Sequence, residues 1–218
     1  MSARAHAFEA EPVAAAAVET ARAGGGRANQ KKRTRDAIVR AAAELMLTGR
    51  EMTMPEIARA ALVSEATAYR YFPDLASLLG EAMADQLPDP AAALDLATDS
   101  ADPVERVAAA TEYLLRHVLA RQGAVRAMIA ATVVRPDAGP RRPGLRFGLI
   151  DHALAPLEAT VGRTDPEALA QLKLGLAVVI SAEALFALTD LQGLDPEAAV
   201  AGLVRTATAL TRAALPSA

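Results

Sequence analysis

Residues 53–79 read TMPEIARAALVSEATAYRYFPDLASLL, and this stretch decides the fold. Thr53 is placed to cap a helix while Glu56 reaches back to it, and Pro55 falls in the first turn, where a missing N–H costs nothing. The helix so started is short and ends near Ala60 or Ala61. Ser64 caps a second short helix that runs to Phe72, where Pro73 stops it, and Asp74 caps the next. Ile57 and Val63 supply apolar contacts at the corner, and Ala58 and Ala68 let the helix axes approach. Two short helices joined by so tight a turn have helix-turn-helix geometry, in which the second helix suits a major groove.

Working outward, the upstream residues Lys31, Lys32, Arg33 and Arg35 lead into a helix to about Leu47. Its apolar face is Ile38, Ala42, Leu45 and Met46, and Gly49 ends it. Residues 1–30, rich in Ala, Gly and Glu and including Gly24-Gly25-Gly26, are expected to form a disordered N-terminal extension. Downstream, a fourth helix is expected from Leu75 to Leu87, then a Pro/Asp/Ala connector over 88–101. The start signals Asp102-Pro103, Asp165-Pro166 and Asp195-Pro196, each with Glu in the first turn, open helices over 102–121, 165–190 and 195–214. Helices over 123–134 and 145–161 fill the interval, separated by a Pro/Gly/Arg loop at 135–144. The expected class is all-α. A three-helix helix-turn-helix domain occupies 31–80, and a second all-α domain occupies 81–218.

Composition supports this. The chain of 218 residues is 52% apolar but only 3% aromatic, a poor basis for a β-sandwich or barrel. Three of its seven aromatic residues fall in the run Tyr69-Arg70-Tyr71-Phe72. There is no Cys, and His6, His117 and His152 lie far apart, so thiolate chemistry is excluded and a metal site is not expected. No phosphate-cradling glycine loop or nucleophile elbow occurs, and neither an enzyme nor a cofactor is expected. No apolar run reaches the length of a membrane span, and the N-terminus makes a poor signal peptide, so a cytoplasmic location is expected. Net charge is only −3, yet residues 27–80 carry nine Lys/Arg against six Asp/Glu. Residues 81–218 carry twelve against seventeen, the asymmetry expected if one end meets a polyanion.

The basic lead-in, Thr53, Ile57-Ala58, Val63-Ser64, Thr67, Tyr69, Tyr71-Phe72-Pro73 and Leu78-Leu79 together resemble the tetracycline-repressor (TetR) family of bacterial regulators. The match is close over residues 31–80; beyond it only helical layout and length agree. The resemblance implies an α-helical homodimer whose N-terminal domain binds a palindromic double-stranded DNA operator. Its C-terminal domain would bind a small effector that releases the DNA. On that pattern Tyr69 reaches a phosphate, with Tyr71 either beside it or partly internal, and Phe72 anchors the helix in the core. By side-chain chemistry, Thr53 suits a phosphate at a helix N-terminus, and Lys31, Lys32 and Arg33 form a basic arm. Glu65, Ala66, Thr67 and Arg70 are the candidates for base edges, although Glu65 equally serves the helix dipole. Three departures stand out. Leu62 occupies a turn position where the family commonly has Gly, Leu75 stands where a phosphate-binding Lys is common, and Pro55 lacks a donor. They motivate an alternative, a ligand-binding helical dimer with a weakened or lost DNA-binding head.

The effector side is less legible. Candidates are the scarce bulky or polar residues Tyr113, His117, Met128, Phe147, His152, Glu183 and Phe186, and an apolar effector is expected. Glu183 interrupts an apolar stretch, and a buried carboxylate needs a partner. Arg135, Arg141, Arg142 and Arg146 surround the loop and are read as surface residues, with guarding the pocket entrance as the alternative. The run Leu174–Ile180 is apolar on every face, which calls for cover on every face. Ordinary core packing would supply that cover, or a dimer seam shared with the domain core; the seam reading runs through Ala177, Ile180, Ala184, Leu188, Leu203, Ala207 and Leu210.

Overall fold

The computed structural model describes residues 13–84, 86–134 and 144–215, with side chains from residue 28 onward. Among the described residues there are helices and no strands. In the head, α1 (Val13–Met46) leads to α2 (Met54–Ala60), α3 (Glu65–Tyr71) and α4 (Leu75–Ala84). The expected extension at 1–30 meets a helical assignment from Val13 onward; Phe8 lies outside the described residues. Ala-rich sequence favours that earlier start even though the glycines oppose it.

The capping box forms as expected. Thr53 Oγ1 accepts from the Glu56 amide at 3.4 Å, and Glu56 Oε2 accepts from the Thr53 amide at 2.9 Å. Asp74 Oδ1 accepts from the Ser77 amide at 2.7 Å and starts α4. The turn after α2 is a Schellman closure, in which the Val63 amide donates to Ala58 O at 2.9 Å and the Leu62 amide to Arg59 O at 3.1 Å. That closure holds Leu62 at φ 56°, the left-handed region, with its side chain 93% exposed. The position thus has the backbone that favours Gly, and Leu there costs roughly 1–2 kcal/mol. Ile38, Met46, Ile57, Ala68, Phe72, Leu78 and Leu79 form the head core. Leu75 is half-buried against it rather than reaching outward.

The body holds α5 (Pro90–Ala97), α6 (Pro103–Ala120), α7 (Gln122–Val134), α8 (Leu145–Ala153), α9 (Ala155–Glu158), α10 (Val161–Thr164), α11 (Pro166–Val179), α12 (Ala182–Phe186) and α13 (Pro196–Ala214). The connector expected over 88–101 contains α5, started by Asp89 with its carboxylate 2.9 Å from the Ala92 amide. Asp89-Pro90 is the same signal that opens α6, α11 and α13. The single helix expected over 145–161 is broken into α8 and α9. The helix expected over 165–190 stops at Ile180, because Ser181 Oγ donates to Val178 O at 2.7 Å and accepts from the Ala184 amide at 3.0 Å. A π-helical turn, Ala187–Leu191, follows α12.

Head and body meet through α4 and α7. Gly123, at the start of α7, lies so close to the α1–α2 loop that a Cβ there would sit 2.0 Å from Arg50 O. Among the described residues no single helix is long and apolar enough to cross a membrane.

Candidate nucleic-acid interface and cavity

The exposed face of α3 presents Glu65, Ala66, Tyr69 and Arg70, while Ala68 beneath them is fully buried. Thr67 is half-buried. Its amide donates to Ser64 Oγ at 3.2 Å and its hydroxyl lies 2.9 Å from the same oxygen, so the hydroxyl belongs to the cap and the methyl is left for apolar contact. Tyr69 is 49% exposed, whereas Tyr71 packs partly on the head core. Phe72 is 2% exposed and anchors the helix end.

Of the basic arm, Lys31 shares a cleft with Arg70, Tyr71 and Gln30, and Arg70 lies over the Tyr71 ring at 5.6 Å. The lead-in to α1 and the end of α3 are thereby brought together on one side. Arg33 is exposed, and Lys32 is 3.1 Å from Asp36 on its own helix. Arg35 instead turns inward, forking onto Glu81 of α4 and covering the Phe72 ring at 4.8 Å. Thr53 is exposed, but Glu56 engages both its amide and its hydroxyl, the latter at 3.0 Å. Those hydrogen bonds from Thr53 hold the Glu56 carboxyl below its usual range. A phosphate at Thr53 would have to displace that carboxylate.

In the body, a cavity of about 320 Å³ opens between α6, α7, α8 and the start of α12. Of the effector candidates, His117, Met128, Phe147 and Glu183 line it. Tyr113 stands behind His117, stacked at 6.3 Å between ring centroids. Phe186 is turned away, under Arg126 at 3.8 Å from its ring, and Arg126 is also paired with Asp190. His152 lies elsewhere, with Nε2 2.9 Å from Asp95 of α5.

Glu183 is not buried in a continuous helix. It occupies the first turn of α12 at the cavity wall, 3.8 Å from Arg146. Arg146, read from sequence as surface, lines the cavity mouth, while Arg135, Arg141 and Arg142 lie outside the described residues. Sequence reasoning missed Met83, Leu87, Val118 and Leu145 as lining residues, because their apolar spacing is that of any core helix. Met83 and Met128 belong both to the head core and to the cavity wall.

The seam residues divide. Ile180, Leu203 and Ala207 are buried in the chain's own core, since a helix apolar all round does not declare which face its own domain takes. Ala177, Ala184 and Leu188 are half-buried, and Leu210 is exposed. The apolar residues that α11 leaves outside are Leu174 and Val178, 61% and 71% exposed.

Residues 38–82 match a family model described as bacterial regulatory proteins, tetR family. A TetR transcriptional regulator from Rhodococcus sp. RHA1 is similar at 23% identity, over 83% of this chain and 97% of that one, with a TM-score of 0.47. The structure of RolR in complex with resorcinol is similar at 21% identity, over 87% and 98%, with a TM-score of 0.45. No curated protein matches the chain.

Proposed function

We propose that the chain, whose head residues 38–82 match the tetR family model, is a DNA-binding transcriptional regulator of that family and acts as a homodimeric repressor. A small, mainly apolar effector bound in the body would release it from a palindromic operator. The observation that carries this reading is the double membership of Met83 and Met128 in the head core and the cavity wall. A guest pressing on those side chains presses on the packing under α2 and α3, because a close-packed interior transmits displacement. The domain division is proposed accordingly at residues 31–80 and 81–218. The head's core, however, extends into α4 and α7.

On DNA, α3 enters the major groove with Ala66, Thr67 and Arg70 toward base edges, and Glu65 at the helix start. Tyr69, Lys31, Lys32 and Arg33 serve the backbone. Thr53 takes a lesser part while Glu56 holds it, and Tyr71 supports Arg70. The dimer seam is proposed over Leu174, Val178 and Leu210, the apolar residues that α11 and α13 leave outside.

The test is selection of bound fragments from genomic DNA by purified protein, followed by affinity measurements across salt. A palindromic site with half-sites about one helical turn, or a multiple of it, apart is expected. Affinity for it should fall steeply as salt rises, because phosphate neutralisation releases counterions. Equal affinity for the selected site and for random duplex at moderate salt would overturn the reading.

A further inference from the structure

The helix that the proposed function places in the major groove has few ties to the rest of the head. α3 is seven residues long and buries only Ala68 within its own length. Its start is fixed by the Ser64 cap and by the closed turn before it. Its end is fixed by Phe72, which leaves the helix in extended backbone and joins the head core with Ile38 of α1 and Leu78 and Leu79 of α4. Ala68 offers a single methyl group to that core. The direction of α3 about Ala68 is therefore set by where the Phe72 ring sits.

A charged clasp closes over that ring. Arg35 of α1 lays its guanidinium on it, 4.8 Å from the ring centre. A cation over a ring face is attracted by the negative face of the π-system. Both terminal nitrogens of Arg35 fork onto the two carboxylate oxygens of Glu81 on α4. A planar fork fixes orientation as well as distance, which a single contact does not. The next carboxylate on α1, Asp36, is taken by Lys32 at 3.1 Å. Glu81 is thus the carboxylate that keeps the Arg35 guanidinium on the ring. The clasp joins α1, the end of α3 and α4. Arg35 belongs to the basic lead-in, where charge alone would make it a phosphate ligand, yet its terminal donors are committed inward.

Resting on the reading that α3 enters the major groove of an operator, we propose that Arg35 and Glu81 are positioning residues for operator recognition: their fork, closed over Phe72, sets the direction of α3. Neither side chain has to touch DNA for this. An acidic side chain thereby favours the binding of a polyanion, the reverse of what its charge alone dictates. The two side chains are 42% and 33% exposed, and pairs so exposed contribute little to global stability. Their loss is read in the angle of α3 rather than in unfolding.

The experiment uses the full chain, the operator obtained by fragment selection and a random duplex of equal length. Affinity for both is read by anisotropy across salt. Glu81→Gln should lower operator affinity about tenfold, the size of a lost charge-assisted hydrogen bond. Affinity for the random duplex should stay level or rise, because a negative charge has gone. Arg35→Lys keeps the charge and loses the fork, and should show the same loss at the operator with an unchanged salt slope. A phosphate ligand behaves otherwise: Arg35→Met would then weaken both duplexes and reduce the salt slope by about one. A merely destabilised head would lose both duplexes alike.

Operator affinity unchanged or raised by Glu81→Gln overturns the proposal. So does an equal loss on both duplexes, or the phosphate-ligand pattern in Arg35→Met. Should Glu81→Gln fail to fold by far-ultraviolet dichroism, Arg35→Lys decides alone. Equal affinity of the unmodified chain for the two duplexes sinks the groove reading and the proposal with it. A preference for the operator that survives both substitutions sinks the proposal and leaves the groove reading standing.

Discussion

In the head, Ala42, Ala58, Ala68 and Ala82 are buried at or near zero exposure, and the helices close directly upon one another. The body uses Ala in the same way at Ala110, Ala153, Ala199 and Ala207, yet between α6, α7, α8 and α12 it opens a cavity of about 320 Å³ walled mainly by aliphatic and aromatic side chains, where the head's clefts of similar volume are lined mainly by charged and polar ones. The difference lies in how helices end. Head helices stop at a cap and restart within a few residues, so each turn hands one packed face to the next. In the body, α11 is cut by Ser181 in mid-run, and α12 sets off in a new direction. A broken apolar helix leaves space that its unbroken form would fill. The closed region therefore suits the holding of a fixed surface, and the open one suits the taking of a guest.

Removing the anchor of the closed region should have the largest effect. Phe72→Ala should cost about 3–5 kcal/mol of stability in urea unfolding. Because Leu87 and Val125 pack against both cores, near- and far-ultraviolet signals should still report one transition. A body that melts at its original midpoint after the head has gone would break the contrast into two independent units. Next comes the junction. Gly123→Ala forces a Cβ against Arg50 O and should cost about 1–3 kcal/mol, since backbone there has little room to yield. An unchanged midpoint would show that α7 and the α1–α2 loop are not in firm contact.

Leu62→Gly acts in the opposite direction. Relief of the left-handed φ at Leu62 should raise stability by about 1 kcal/mol. In a chain of this size that is about 2–4 °C in Tm. Operator affinity measured on the same protein would show whether the turn also limits DNA binding, as the weakened-head alternative requires.

A further expected effect is on pH dependence. His117 titrates near 4 in the folded chain against 6.5 ordinarily, so between those values the unfolded chain binds more protons. Its contribution to stability is complete above about 6.5, declines as pH falls toward 4 and is flat below. His117→Gln should flatten urea midpoints across that window. An unaltered profile would mean that the ring is not buried in its neutral form.

Much of the head was legible in the sequence because its signals are local. A capping box and a cap Ser each declare themselves within a few residues, and Thr53 and Ser64 did so, whereas Leu62 and Phe72 stood out against the family pattern. The Asp-Pro starts of α6, α11 and α13 were readable for the same reason. At Asp89-Pro90 that signal was hidden by the neighbouring prolines and aspartates, which together resemble a linker. Packing partners are another matter. Periodicity shows that Ile180 and Leu203 are apolar but not which apolar surface receives them. It cannot tell that Phe186 turns to Arg126 rather than to the cavity, or that His152 meets Asp95. Four cavity residues were found from sequence because scarce polar and bulky groups stand out among Ala and Leu; its aliphatic lining had no such mark.

Two thioethers, Met83 and Met128, stand in the partition between the head core and the cavity, with Leu87 and Val125 beside them. Methionine is unbranched, and its several rotatable bonds let it re-form around neighbours of different outline. A wall of Met83 and Met128 registers how much bulk lies against it more than the contour of that bulk. Leu or Ile in the same places would make a stiffer septum, fitted to fewer guests. The chemistry of this boundary thus sets a trade between breadth and fidelity: the partition yields to many shapes, while selectivity must come from groups elsewhere on the wall.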